Sequence, residues 1–254
     1  MPRTEQEYRA ARETYAELGI DTDQAIETLA SIPLSIHCWQ GDDVIGFDGA
    51  TSLSGGILST GSYPGRARNA EELRSDAVFA FSLIPGKKRF NLHAMYAETG
   101  GAKVDRCDLE PRYYEGWIEW AKQQHIGLDF NPTFFSHPLA ESGWTLAHPD
   151  NDIRDFWIRH GKASRRIAQS IADTLKDHVV NNLWVPDGYK DMPADRLGPR
   201  LRLKESLDAI YSEKLPNDRV LDSVESKLFG IGSEAYVAGS HEFYVGYASQ
   251  KAIG

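Results

Sequence analysis

The chain has 254 residues, a length that suits one large domain or two small ones. Its net charge of −9 argues against a nucleic-acid partner or an anionic membrane surface. Long apolar runs and a signal-peptide pattern are both missing from the sequence, which predicts a soluble protein. Its cysteines are Cys38 and Cys107, so no disulfide framework is implied and a reducing cytoplasm fits.

Helical periodicity alternates with short strand-like segments along the chain. A helical N-terminal extension is predicted over residues 4–32, with Asp21 opening its second helix. Asn69 and Asp150 are typical N-cap residues, and each precedes a helix with apolar residues on one face. The basic run at residues 87–89 is predicted to be a solvated entry to a strand.

Five apolar-rich segments separated by helices are predicted to be strands. Strands connected through helices pair in parallel with right-handed crossovers. A barrel of eight strand–helix units and an open doubly wound sheet both satisfy this pattern. The predicted strands cover residues 34–40, 90–96, 126–131, 179–185 and 220–226.

Polar or metal-competent groups stand where these strands end, followed by Pro or Gly. Chemistry that is spread over the ends of several strands favours the barrel. The absence of a GxGxxG motif after the first strand counts against a dinucleotide fold. The sequence therefore predicts an α/β chain with about five of the eight units of a TIM-type barrel, and an open sheet edge. The strand-end groups are Trp39-Gln40-Gly41, Asp129-Phe130-Asn131-Pro132, Trp184-Val185-Pro186-Asp187-Gly188 and Glu225-Ser226-Lys227.

An acid and a base follow each other at the end of the last predicted strand. Glu225 and Lys227 are two residues apart, and side chains at i and i+2 of a strand point to the same face. The glycine-rich loop with Gly230 and Gly232 comes next. This spacing fits a catalytic pair at a strand end, and it fits an ordinary ion pair inside a barrel equally well.

Seven longer runs resemble the L-rhamnose isomerase family, and together they cover essentially the whole chain. The resemblance implies that residues 1–254 are the N-terminal portion of a single (β/α)₈-barrel domain. It implies the interconversion of L-rhamnose and L-rhamnulose by a hydride shift or an enediol. It also implies two divalent metals, usually Mn²⁺, a cytoplasmic location and a homotetramer. The runs are SIHCWQGDDVIGF (35–47), GSYPGRARNAEELR (61–74), KRFNLHAMY (88–96), GLDFNPTFFSHPL (127–139), FWIRHGKASRRI (156–167), LWVPDGYKD (183–191) and VESKLFGIGSEAYVAGSHEFYVGYA (224–248).

The resemblance also assigns roles to individual residues. Glu225 matches a carboxylate ligand of the metal that orients the substrate, and Lys227 matches a catalytic lysine that contacts the sugar and offsets negative charge on its oxygen. His93 and Trp184 match residues of the substrate pocket, where His93 would contact a hydroxyl and Trp184 would form an apolar wall. Trp39 occupies a comparable position at a strand end.

The remaining metal ligands of the family lie on strands that follow the one carrying Glu225. We therefore expect this chain to be the N-terminal part of the barrel and to be inactive alone, because a hard cation wants about six ligands. Two alternatives stay open at this point. One is another barrel sugar isomerase of the xylose isomerase type, and the other is a non-catalytic half-barrel that a partner chain completes.

Overall fold

The computed structural model describes residues 3–49, 60–216, 218–227 and 234–251. Helices alternate with strands throughout these residues, and short 3₁₀ turns follow several strands. Asp21, Asn69 and Asp150 each accept a hydrogen bond from the first turn of the helix that they precede, so the predicted N-caps are confirmed. The helices are α1 (Arg3–Glu17), α2 (Thr22–Ser31), α3 (Ala70–Leu83), α4 (Glu115–Gln124), α5 (Asn151–Leu175), α6 (Gly198–Ile210) and α7 (His241–Lys251).

The central element is a parallel sheet that contains five of the strands among the described residues. Its order is β1-β2-β3-β4-β6, so each strand lies beside the next one in sequence apart from a short interruption by β5. The strands β5 and β7 form a separate antiparallel pair. The bounds are β1 (Leu34–His37), β2 (Lys88–His93), β3 (Gly127–Asn131), β4 (Val179–Trp184), β5 (Gly188–Tyr189), β6 (Val220–Glu225) and β7 (Tyr236–Val237).

The predicted parallel strands are confirmed, but two of them end three residues earlier than predicted. The chain turns into a 3₁₀ helix over Cys38–Gln40 after β1, and over Ala94–Tyr96 after β2. Cys38 and Tyr96 stay buried in these turns, at 1% and 0% exposure. Apolar character therefore continues past the end of each strand, which is why the pattern predicted longer strands.

Side chains of β2 show how the sheet divides into two faces. Phe90 and Leu92 point toward the helices, where the Phe90 ring lies 5.9 Å from the Trp117 ring and 5.2 Å from the Trp120 ring of α4. Full burial of such a side chain contributes about 1.5–3 kcal/mol. Arg89, Asn91 and His93 alternate with these and take the opposite, inner face.

The outer strands of this sheet, β1 and β6, are more exposed than the three strands between them. Leu34 on β1 is 53% exposed and Leu221 on β6 is 42% exposed. A parallel sheet of five strands with helices on one face and exposed outer strands is consistent with an incomplete TIM-type barrel. Among the residues described, none of the helices is both long and apolar enough to cross a membrane. The assignment of residues 1–254 to a single domain stays a prediction.

Candidate active site

A cavity of about 230 Å³ lies at the carboxyl end of the sheet. The last residue of each of the five parallel strands lines it. Because parallel strands end at the same edge of a sheet, residues that are far apart in sequence converge there. The five residues are His37, His93, Asn131, Trp184 and Glu225.

Aromatic and aliphatic side chains complete the wall. Trp39 follows β1, and its ring lies 5.8 Å from the ring of His37. Phe135 follows β3, and its ring meets the Trp184 ring edge-on at 5.7 Å. A cavity with apolar walls and a few polar groups suits a ligand that has an apolar face and hydroxyl groups, such as a monosaccharide.

The turn after β1 places another apolar group, Val44, in the wall. Asp43 and Val44 have φ angles of 57° and 68°, which is unfavourable for any residue other than glycine and especially so for a β-branched one. The buried carboxylate of Asp42 holds this backbone, because it accepts hydrogen bonds from the amides of Val44 and Gly46 and from the hydroxyl of Tyr96. Burial raises the pKa of Asp42, and those hydrogen bonds oppose the rise.

Arg106 fixes the segment that carries Phe135. Its guanidinium is 2% exposed and donates to the backbone carbonyls of Thr133, Phe135 and Ser136. It also donates to Asp48, with Nε and Nη2 at 2.9 and 2.7 Å from Oδ2. One buried cation thus joins the chain after β1 to the chain after β3.

Two imidazoles, from the buried His93 and the partly buried His37, lie side by side in the wall. His37 Nδ1 and His93 Nε2 are 3.3 Å apart. Burial lowers the pKa of His93 well below its usual value, and the neighbouring His37 and Arg106 lower it further. Burial also lowers the pKa of His37, although Glu225 and Asp129 raise it. Both rings are therefore neutral at pH 7 and able to exchange hydrogen bonds with hydroxyl groups.

The carboxylate of Glu225 is held from one side by neighbouring polar groups. Asn182 Nδ2 donates to Glu225 Oε2 at 2.7 Å, and Ser223 Oγ donates to Asn182 Oδ1 at 2.9 Å. Residues 3–49, 60–216, 218–227 and 234–251 contain no group of three or more His, Cys, Asp or Glu able to hold a metal ion. The Glu225 carboxylate at the cavity offers the kind of hard oxygen donor that a divalent metal accepts, and the described residues do not complete a coordination sphere around it.

The structure brings together four of the residues that the sequence predicted for the site. Trp39, His93, Trp184 and Glu225 all line the cavity. Lys227 is separate, because β6 ends at Glu225 and the alternation of a strand does not extend to it. The idea that Glu225 and Lys227 point together at one place is therefore wrong.

The side chain of Lys227 is buried, and its ammonium group is paired. It is 4% exposed and donates to the carbonyl of Pro186 at 2.9 Å and to Glu234 Oε1 at 2.7 Å. This ion pair joins the residue after β6 to the segment before β7. The predicted glycine loop between them, with Gly230 and Gly232, lies outside the described residues.

His37, Val44 and Phe135 are cavity residues that the sequence reasoning did not single out. The predicted β1 ran to Gln40, so the group assigned to its end began at Trp39 and left out His37. Asn131 stood in a predicted strand-end group, and its place in the wall agrees with that. The signal that would have found His37 is its alternation with Ser35, which puts both residues on the inner face.

Comparison with known proteins gives a consistent result. Residues 3–253 match the profile of the family described as "L-rhamnose isomerase (RhaA)". The L-rhamnose isomerase of Rhodopirellula baltica is 53% identical over 248 residues, which is 97% of this chain and 58% of that protein. Those of Listeria monocytogenes serotype 4a and Citrobacter koseri are 54% and 53% identical, over 94% and 97% of this chain and 57% and 59% of theirs.

The chain thus spans somewhat more than half the length of the curated relatives that it matches. Within that span the similarity is continuous, and it includes all five strands whose last residues line the cavity. Identity above 50% over nearly the whole chain, together with the profile match, leaves no doubt about descent. This chain belongs to the L-rhamnose isomerase family.

Proposed function

We propose that the strand-end cavity binds L-rhamnose during its metal-dependent isomerisation to L-rhamnulose. The observation that carries this proposal is the convergence of five strand-end residues on one cavity, in a chain of the L-rhamnose isomerase family. Trp39 and Trp184 offer apolar ring surface to a sugar face. Phe135 packs edge-on against the Trp184 ring and adds apolar surface to the same wall.

His93 would contact a sugar hydroxyl or assist ring opening, as the resemblance implies. Its neutral ring is suited to this, since the unprotonated nitrogen of a neutral imidazole accepts a hydrogen bond from a hydroxyl group. The catalytic role of Lys227 stays a prediction. In the structure its ammonium group is committed to Glu234 and to the Pro186 carbonyl, so a sugar oxygen would have to replace one of these partners.

Glu225 would serve as one ligand of a divalent metal, with Mn²⁺ the expected ion and further ligands supplied from outside the described residues. Such a metal polarises a sugar carbonyl. Asn182 contributes by fixing one carboxylate oxygen of Glu225, so that the side chain needs little reordering when it binds the ion. The homotetramer and the cytoplasmic location belong to this proposal as well.

A chimera tests the proposal directly. This chain would replace the matching 57% of the Listeria monocytogenes relative. Rhamnulose formation from L-rhamnose in the presence of Mn²⁺ would be measured for the chimera and, in parallel, for the 254-residue chain alone. We expect turnover by the chimera. A folded chimera that leaves L-rhamnose unchanged contradicts the proposal, and a preference for D-xylose favours a xylose-type isomerase.

A substitution of Glu225 tests whether its carboxylate is a metal ligand. In the chimera, Glu225→Gln should weaken Mn²⁺ binding at least 10–100-fold and remove most turnover. Glu205→Gln makes the same change at an exposed position of α6 and should leave both unchanged. Equal metal content in the two variants would show that Glu225 only accepts the hydrogen bond of Asn182.

A further inference from the structure

We propose that His37 is a further sugar-contacting residue, whose Nε2–H donates to a hydroxyl oxygen of the ligand in a tautomer that His93 sets. This inference rests on the proposed function, since it names a sugar as the ligand. It starts from geometry: His37 ends β1, lines the cavity and has its Nδ1 3.3 Å from His93 Nε2.

One proton lies between those two nitrogens, so the tautomers of the two rings are coupled. If His37 Nδ1–H donates, His93 must carry its own proton on Nδ1, and His37 presents a bare Nε2 to the cavity. If His93 Nε2–H donates, His93 Nδ1 is a bare lone pair, and His37 carries its proton on Nε2. The two arrangements offer opposite hydrogen-bonding groups to a ligand.

The surroundings of His93 decide between them. His93 is 4% exposed, and its Nδ1 finds no hydrogen-bond partner among the described residues. A buried N–H without a partner is rarer in proteins than a buried acceptor without one, and it costs more free energy. The arrangement with the proton on His93 Nε2 avoids that cost. His37 is then the Nε2–H tautomer.

The ligand side follows from the position of His37. Its Nδ1 is turned toward His93, so Nε2, on the far side of the ring, is the nitrogen left for a ligand in the cavity. The Trp39 ring beside it provides the apolar surface on which a sugar packs. His93, which is more deeply buried, acts here as the positioning residue that keeps the donor of His37 in place.

The tautomers are measurable without any variant. In the full chain with ¹⁵N-labelled histidine, long-range ¹H–¹⁵N spectra assign the protonated nitrogen of each ring. We expect Nε2–H for both His37 and His93, and a shift of the His37 Nε2 resonance when L-rhamnose is added. An Nδ1–H tautomer of His37, or an unmoved resonance at saturating L-rhamnose, overturns the inference.

Two substitutions separate the two nitrogens of His37. His37→Gln places an N–H donor near the position of Nε2, whereas His37→Asn keeps a polar group near Nδ1 and removes the donor. We expect L-rhamnose affinity within about threefold of wild type for the first and about tenfold weaker for the second, which corresponds to about 1.4 kcal/mol. His241→Gln, at the exposed start of α7, is the control and should leave the affinity unchanged.

Equal losses in His37→Gln and His37→Asn overturn the donor role. Circular dichroism identifies any variant that fails to fold. If one does, the tautomer of His37 measured in the wild-type chain tests the donor role by itself. Failure of the proposed function looks different from failure of this inference. Sugar binding with the expected His37 shift, but without isomerisation by the chimera, refutes the isomerase proposal and leaves the contact of His37 intact.

Discussion

Both ends of the parallel sheet carry charged and polar side chains, but these are paired with each other at the amino end and incompletely paired at the carboxyl end. At the amino end, Arg89 donates to Asp129 through Nε and Nη2 and to Asp177 through Nη1. Asp129 also accepts from Ser35 Oγ at 2.6 Å and from the amide of Val180 at 2.9 Å. One guanidinium there pairs with two carboxylates, and the network joins four neighbouring strands through Ser35, Arg89, Asp129 and Val180.

At the carboxyl end the polar groups are incompletely paired. His93 Nδ1 finds no partner within the part of the chain that the structure describes, and Glu225 is exposed. A saturated network has no capacity left for a ligand, whereas the carboxyl end has both space and hydrogen-bonding groups. The comparison teaches that hydrogen-bonding groups at one end of the sheet pair with each other and stabilise the fold, while those at the other end are left available to a ligand.

Removing the central cation of the amino end should have the largest effect. Arg89→Met leaves Asp129, which is 1% exposed, as an uncompensated buried charge. We expect unfolding free energy, measured in urea, to fall by about 3–5 kcal/mol. Arg112→Met removes an exposed arginine whose Nη2 lies 3.1 Å from Glu110, and it should cost less than about 1 kcal/mol. Similar losses in the two variants would contradict the comparison.

The carboxyl end should respond to acid through a buried histidine. Burial, then the nearby Arg106, lowers the pKa of His160 to about 3. The ring packs against Phe134, three residues after β3, and its Nδ1 lies 2.9 Å from the Arg106 carbonyl. The unfolded chain binds a proton near pH 6.5, so the stability that the neutral ring contributes is full above pH 6.5 and is lost as the pH falls toward 3. Each pH unit in that window costs up to about 1.4 kcal/mol.

Urea unfolding at pH 7, 6, 5 and 4 measures this loss. His160→Asn preserves a polar group near Nδ1 and removes the titration, so its stability should fall less steeply with acid than that of wild type. His125→Asn is the control, because His125 is exposed and its φ of 55° is one that Asn tolerates. Parallel curves for wild type and His160→Asn would mean that His160 does not titrate on unfolding.

Much of this architecture could be predicted from local signals. Asn69 and Asp150 mark helix starts because a cap bonds to residues only two or three positions away. The predicted solvation of residues 87–89 was wrong for Arg89, which is 6% exposed, because its partner Asp129 lies 40 residues further along the chain. His37 was missed for a similar reason, since its partner His93 is 56 residues away. Local patterns predict elements, and pairing between strands decides which polar residues are buried.

A glycine next to the amino-end network offers a sharper test of how tightly it packs. A Cβ at Gly127 would lie 2.2 Å from Nη1 of Arg89 and 2.8 Å from Oδ2 of Asp177. Gly127→Ala should therefore cost about 1–3 kcal/mol of unfolding free energy, because the new methyl group forces apart Arg89 Nη1 and the Asp177 carboxylate that it bonds. Gly246→Ala is the matched control within α7, where a Cβ meets nothing within 4 Å, and it should stabilise by about 0.5–1 kcal/mol. If neither substitution changed the unfolding free energy, the side chains around Arg89 would not be tightly packed.

The smallest effect on stability is expected at the carboxyl end, from Glu225→Gln. The side chain is exposed, and the glutamine carbonyl can still accept the hydrogen bond of Asn182, so no buried group loses its partner. The unfolding free energy should stay within about 0.5 kcal/mol of wild type. Removing a negative charge even relieves the repulsion expected in a chain of net charge −9. Urea denaturation of the 254-residue chain measures this directly, without metal or sugar. A loss above about 1 kcal/mol would mean that Glu225 supports the fold as Asp129 does. The difference proposed between the two ends of the sheet would then be wrong for Glu225, the residue on which the metal proposal depends.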